Sequence, residues 1–130
     1  MRHQTKKNTL GKAQDQRKAL LRSLATELFV HGEIKTTMAR AKALQPYAEN
    51  VITMAKKGDL NSRRLAGRYI FDKEIGQLID TATGEVFDAP QEGKKLAKQT
   101  VLRKLFSIIG VKYASRQGGY TRIFRLPPRR

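Results

Sequence analysis

The sequence predicts an α+β domain: three to four helices packed on a small mixed β-sheet, preceded by an extended basic N-terminal arm. Three observations predict it. Apolar residues recur at helical spacing in several separate stretches, two short segments are rich in β-formers, and the first twelve residues carry almost no large apolar side chains. A chain of 130 residues allows one domain. It can bury roughly two-thirds of the surface that its unfolded form exposes, so 39% hydrophobic residues suffice for a small core.

Residues 1–12 are polar and basic and read as an arm that, at about 3.3 Å per residue, reaches roughly 40 Å. From Ala13 the pattern becomes helical: Leu20, Leu21, Leu24 and Leu28 share one face, with Lys18 and Arg22 beside it and Gly32 placed to end the helix. Glu33-Ile34-Lys35-Thr36-Thr37 alternates, is β-branched and reads as a strand, after which Thr37 is suited to cap a second helix over 38–57. That helix carries a narrow stripe of Ala41, Leu44, Ala48, Val51 and Ala55, a kink is expected at Pro46, and Gly58 is its end signal. Asp59 is suited to cap a third helix over 60–71, with Arg63, Arg64 and Arg68 on its polar side. Turn signals dominate 80–93 around the apolar pair Val86-Phe87. Leu96, Val101, Leu105 and Ile108 then predict a helix over 94–109 that Gly110 stops. Residues 119–126 read as a second strand, and 127–130 form a short basic tail that no ladder can include. The domain proper is 13–126.

The 27 Lys and Arg against 11 Asp and Glu leave a formal charge of +16, which is most simply explained by a polyanionic partner. Residues 1–22 hold seven basic residues and one acid, and 93–130 hold eleven and none. Residues 71–92 hold six acids and one Lys, so the signs are segregated: two polyanion-facing ends and one stretch turned away. The absence of Cys excludes disulfides, thiolate metal sites and a thiol nucleophile. No apolar run approaches the ~18 residues of a membrane span, so the chain is expected to be soluble and intracellular, or already processed.

Catalysis has no residue set. The two histidines, His3 and His31, are too far apart to pair along a helix, and Asp15, Glu27, Glu33 and Glu49 fall at no pairing distance. No cofactor or metal site is expected. His31 reads as a helix-end residue and His3 as an RNA contact. The strongest local feature is Arg116-Gln117-Gly118-Gly119-Tyr120-Thr121-Arg122: two glycines bare the backbone so that main-chain amides can approach phosphate, and the flanking arginines supply forked donors. Tyr120 is equally suited to stack on a base or to pack as a strand aromatic. At the start of the second helix, Lys35, Arg40 and Lys42 stand where acids are normally favoured, a local cost that a bound anion offsets.

The start Met1-Arg2-His3, the block from Ile34-Lys35-Thr36-Thr37 through Arg40-Ala41-Lys42 to Glu49-Asn50-Val51-Ile52-Thr53-Met54-Ala55-Lys56, and the block Arg116 to Ile123 resemble the bacterial-type large-subunit ribosomal protein of family seventeen. The wording of the first helix, Leu10-Gly11-Lys12 followed by Asp15-Gln16-Arg17-Lys18-Ala19-Leu20-Leu21-Arg22, resembles cyanobacterial and plastid members most. The likeness covers roughly 1–70 and 96–126. It implies a structural constituent of the large subunit, without enzymatic activity or cofactor, that binds and stabilises large-subunit rRNA near the peptide exit region beside neighbouring ribosomal proteins. The implied location is the ribosome of a bacterial cytoplasm or plastid stroma, with no membrane and no small-molecule substrate. A stand-alone architectural protein that coats DNA is the alternative.

By position, the resemblance puts Arg2, His3, Lys6, Lys7 and Lys12 of the arm on rRNA, with Lys35, Thr36, Thr37, Arg40 and Lys42 and with Arg116, Gly118, Gly119, Tyr120 and Arg122. The residue reading adds Arg17, Lys18 and Arg22 beside the first-helix stripe, Arg63 and Arg64 on the third helix, Gln117 in the glycine block and Arg125 in the second strand. Two departures from the family stand out. An acidic insertion near 77–96 replaces a short link, and the family's further strand beyond the second has no counterpart before Arg130. Val86-Phe87 is expected to pair in the sheet in place of that strand.

Overall fold

The computed structural model describes residue 3 and residues 8–128. Its elements run α1 (Gln14–His31), α2 (Met38–Lys57), α3 (Leu60–Tyr69), β1 (Glu74–Asp80), β2 (Val86–Phe87) and β3 (Leu96–Thr100), followed by a fourth helix, α4, over 101–112. The fold is α+β, as the sequence predicts. Arg2, Lys6, Lys7 and most of the arm lie outside the described residues, as do the last two residues of the tail.

Local signals place the first three helices. Gly32 ends α1 with its N–H on the Leu28 carbonyl at 2.7 Å. Thr37 caps α2 by accepting from the Arg40 N–H at 3.4 Å, and Asp59 caps α3 by accepting from the Ser62 N–H at 3.3 Å. The helix α2 runs unbroken through Pro46, which is exposed. The predicted stripe faces inward: Leu44, Ala48, Val51 and Ala55 are buried, joined by Ile52. Against them pack Ala25 and Phe29 of α1, Ala66 of α3, Ile70, and Val101 and Leu105 of α4. Burying side chains of this kind contributes about 1.5–3 kcal/mol for each large one, and it is the main cohesion of the helical layer.

The sheet differs from expectation in place and in kind. It is antiparallel throughout, in the order β2-β1-β3, and all three strands come from the acidic segment and its flank. Val86 and Phe87 do pair, opposite Ile79 and Leu78. The insertion is therefore a hairpin rather than a loop. Asp80 shapes its turn by accepting from the Ala82 N–H at 2.9 Å and from the Thr83 hydroxyl at 3.1 Å. That Ala82 N–H bond, with the Thr83 hydroxyl, holds the Asp80 carboxyl below the ordinary aspartate range.

Three predicted elements are corrected. Residues 94–100 are not helical: Leu96–Thr100 pairs with β1, and helix begins only at Val101, where Thr100 caps it by accepting from the Arg103 N–H at 3.3 Å. Asp72 holds the same helix start through the Leu102 N–H at 3.1 Å. Gly110 does not stop α4. It is helical, at φ −60 and ψ −40, and its N–H reaches back five residues to Leu105 because Leu105–Ile109 is wound as a π-helix. The glycine is needed for room, since a Cβ there would stand 2.8 Å from the Ala55 carbonyl oxygen of α2. Finally, neither 33–37 nor 119–126 is a strand. Both have β-forming side chains, but neither meets a backbone partner among the described residues.

Candidate nucleic-acid interface

The segment 116–126 is fastened to α2 by side chains rather than by a ladder. Glu49 accepts from the Thr121 N–H at 3.3 Å and from its hydroxyl at 2.8 Å, while the Gln45 amide donates to the Thr121 carbonyl at 3.3 Å. Two turns further along α2, Lys56 donates to the Tyr120 hydroxyl at 2.8 Å and to the Arg116 carbonyl. The Tyr120 hydroxyl in turn donates to that same carbonyl at 3.1 Å, and its ring lies 5.4 Å from Tyr113. Donation by the Lys56 ammonium, helped by the Gly118 backbone, lowers the Tyr120 phenol below its usual range. Gly118 and Gly119, at φ +91 and +62, make the turn that allows this docking, one that a residue with a Cβ adopts only under strain. Tyr120 is thus half-buried and held at both ends, so of its two readings the packing one describes its place in the fold.

Around this fastening the structure gathers several predicted residues. A groove runs between the end of α1, the flank of α2 and the last turns of α4, with Ile34, Lys35 and Thr36 on one wall and residues 120–126 on the other. Its floor is apolar, with Phe29, Leu44, Ile52 and Ile109. Lys35, Lys112, Arg122 and Arg125 stand around it and are exposed, and Glu33 is the one acid among the residues that line it. Beside the first turn of α2, Asn8, Thr9 and Leu10 bring the described end of the arm against Met38, Ala39 and Lys42. Arm, α2 start and glycine block therefore converge on one end of α2. Thr37 spends its hydroxyl on the cap, whereas Arg40 and Lys42 are exposed in a first turn that holds no acid.

Other candidates lie elsewhere. The Arg22 guanidinium donates to the Gly67 and Ile70 carbonyls at 3.0 and 3.1 Å and lies 4.2 Å from the Phe71 ring centre, so it closes the end of α3 rather than facing outward. Arg63 lies over Phe106 at 5.8 Å, and Arg64 is exposed on the same helix. Lys12 and Lys18 are exposed and Arg17 is half-buried. His3 is exposed. His31 contacts Glu27 at 3.1 Å across one turn of α1, and Lys73 pairs with the same carboxylate, which its hydrogen bond lowers below the usual glutamate range. Arg116 turns its Nε back to the Gly118 carbonyl at 3.2 Å, and Gln117 is exposed beside it.

Reading from the sequence missed Gln45, Glu49 and Lys56 as the groups that hold the glycine block. Glu49 and Lys56 lie seven residues apart on one helix face, the one signal that pairs them. It also missed Phe124, which is 75% exposed between two arginines. Among the described residues no group of His, Asp and Glu is arranged to hold a metal ion, and no helix is long and apolar enough to cross a membrane.

Comparison with known proteins agrees with this arrangement. The family model described as "Ribosomal protein L17" matches residues 20–130. The large ribosomal subunit protein bL17 of Lactiplantibacillus plantarum is 46% identical over 121 residues, which is 93% of this chain and 86% of that protein. Its counterpart from Staphylococcus carnosus gives the same identity and coverage. That of Streptococcus pyogenes serotype M3 is 43% identical over 121 residues, covering 93% of this chain and 87% of its own. With the family model spanning most of the domain and identities this high over nearly the whole chain, the protein belongs to the ribosomal protein L17 family.

Proposed function

We propose that the chain is a structural constituent of the large ribosomal subunit that binds and stabilises large-subunit rRNA near the peptide exit region, in the ribosome of a bacterial cytoplasm or a plastid. Family membership makes it a ribosomal structural protein and not an enzyme. The observation that carries rRNA binding is the convergence at one end of α2. Exposed Lys35, Arg40, Lys42, Arg122 and Arg125 stand there with none of them in an ion pair among the described residues. Uncompensated cations beside the bare amides of a helix start favour phosphate over any neutral partner. Affinity then comes chiefly from counterion release. Neighbouring ribosomal proteins are the second class of partner, and the net-negative hairpin over 74–92 is the surface most suited to them.

Binding of a large-subunit rRNA fragment, followed as salt is raised from about 50 to 200 mM, should fall by about a thousandfold or more if six or more phosphates are contacted. A flat salt dependence refutes the reading. Sedimentation separates it from a DNA-coating protein: one copy should travel with each large subunit and none with chromosomal DNA. Removing residues 1–12 should weaken rRNA binding without lowering the melting temperature, since the buried cluster draws on nothing before Leu21. Crosslinks from the chain to a stalled nascent peptide at the tunnel mouth test the exit-region placement.

A further inference from the structure

We infer that the groove beside Phe124 receives an unpaired nucleotide of the bound RNA, with its base stacked on the Phe124 ring. This rests on the rRNA-binding reading and narrows it from a phosphate-covering surface to one that also takes a base. Three independent observations carry it. Phe124 is 75% exposed, more than any other large hydrophobic side chain among the described residues, and Leu126 and Met38 beside the same groove are 58% and 41% exposed. The Phe124 ring stands between Arg122 and Arg125 in a stretch, 93–130, that holds no acid, so it is flanked by phosphate-binding donors rather than by a neutral rim. The backbone groups of Lys35 and Thr36 on one wall and of Ile123 and Phe124 on the other make no hydrogen bond among the described residues.

A planar aromatic, free donors and acceptors in the main chain, and a cationic edge are what an extruded base with its phosphates requires. Duplex RNA does not fit this surface, because its bases are already stacked and its deep groove does not admit a side chain. An extended polypeptide would meet the same free backbone groups, but would leave the surrounding Lys35, Lys112, Arg122 and Arg125 without counter-charge unless it were strongly acidic. The stacking ring is the feature that a base uses and a peptide does not need.

The chain contains no Trp, so Phe124→Trp places a single reporter at the site. A single-stranded oligoadenylate should quench its emission saturably, and a fully paired RNA duplex with the same number of phosphates should not. Phe124→Ala should weaken oligoadenylate binding about tenfold, the loss of one stacked base, and leave duplex binding and the melting temperature unchanged. Phe124→Leu keeps apolar bulk without a π face and should behave like Phe124→Ala. If the Ala or Leu variant binds oligoadenylate as the parent does, no base stacks there; the rRNA reading stands and this inference falls. If neither nucleic acid binds even at low salt, the rRNA reading itself is refuted.

Discussion

Replacing Gly110 by Ala should destabilise the fold, although the same change in an ordinary helix stabilises it. Gly110 lies within α4 at helical dihedrals, so on propensity alone Gly110→Ala gains about 0.5–1 kcal/mol. Against that, the new Cβ would stand 2.8 Å from the Ala55 carbonyl oxygen, 3.0 Å from its carbonyl carbon and 3.3 Å from its Cβ. The nearest atoms are backbone of α2 and cannot rotate away, so α4 must move off α2 and loosen Leu105 and Val101 from the core. Overpacking of this kind costs about 1–3 kcal/mol, leaving a net loss of about 1–2 kcal/mol and a melting temperature lower by about 3–8 °C. Gly67 is the control. It too is helical, in α3, but nothing stands within 4 Å of its added Cβ, so Gly67→Ala should raise stability by about 0.5–1 kcal/mol. Thermal melts and urea titrations of both variants measure the pair. The reasoning is refuted if Gly110→Ala is as stable as the parent, or if Ala55→Gly restores it, because removing the Ala55 Cβ leaves the offending carbonyl in place.

Other outcomes follow from the fastening and the hairpin. Glu49→Ala removes the acceptor of both Thr121 bonds and should cost about 1–2 kcal/mol, read as roughly tenfold faster amide exchange at Tyr120 to Arg122 while Val51 in the core is unaffected. Lys56→Met should move the Tyr120 ionisation to higher pH in an ultraviolet titration, because the ammonium that favours the phenolate is gone; an unmoved Tyr120 shows that the bond does not form in solution. The Asp80 carboxyl titrates below its unfolded value near 3.8, so its contribution is fully present above that pH and is lost as pH falls through the lower folded value. Asp80→Asn should therefore weaken the protein at neutral pH and flatten its acid-side decline, and an acid limb identical to the parent's would contradict the turn geometry.

The ends of the first three helices were legible because their causes are local: Gly32, Thr37, Gly58 and Asp59 act on backbone groups within four residues of themselves. The start of α4 was half legible. From Val101 onward the apolar spacing is helical, but the step from Leu96 to Val101 is five residues, which leaves the face, and Thr100 sits at the break as a cap. What chooses strand for Leu96–Thr100 is pairing with β1, a partner more than a dozen residues away. The same non-locality defeats the two predicted strands. Ile34 and Ile123 have β-forming neighbours, yet a strand exists only where another backbone meets it. Gly110 was misread because a glycine that ends a helix and one that makes room for another helix are identical in sequence. At the candidate interface the segregation of charge was plain, while the bond from Glu49 to Thr121 spans 72 residues and no local pattern encodes it.

The two signs of charge do different work in this fold, and that explains the +16 better than an excess of cations does. Eight of the eleven acids are engaged within the described structure. Asp59 and Asp72 cap helices, Asp80 makes a turn, and Glu49 holds the glycine block. Glu27, Glu74 and Glu85 pair with Lys73, Lys98 and Lys94, and Asp88 accepts from Gln77. The lysines that meet carboxylates are those three, and two of them belong to the hairpin flank. The acidic segment is thus largely neutralised within its own sheet, which removes the repulsion it would otherwise exert on a polyanion at the far ends of the chain. The arginines that fold, Arg22 and Arg63, do so against carbonyls and aromatic rings and spend no acid. With the carboxylates consumed as caps and latches, the cations at the start of α2 and along 122–125 have no internal partner left to them. Their charge is available only to something outside the chain.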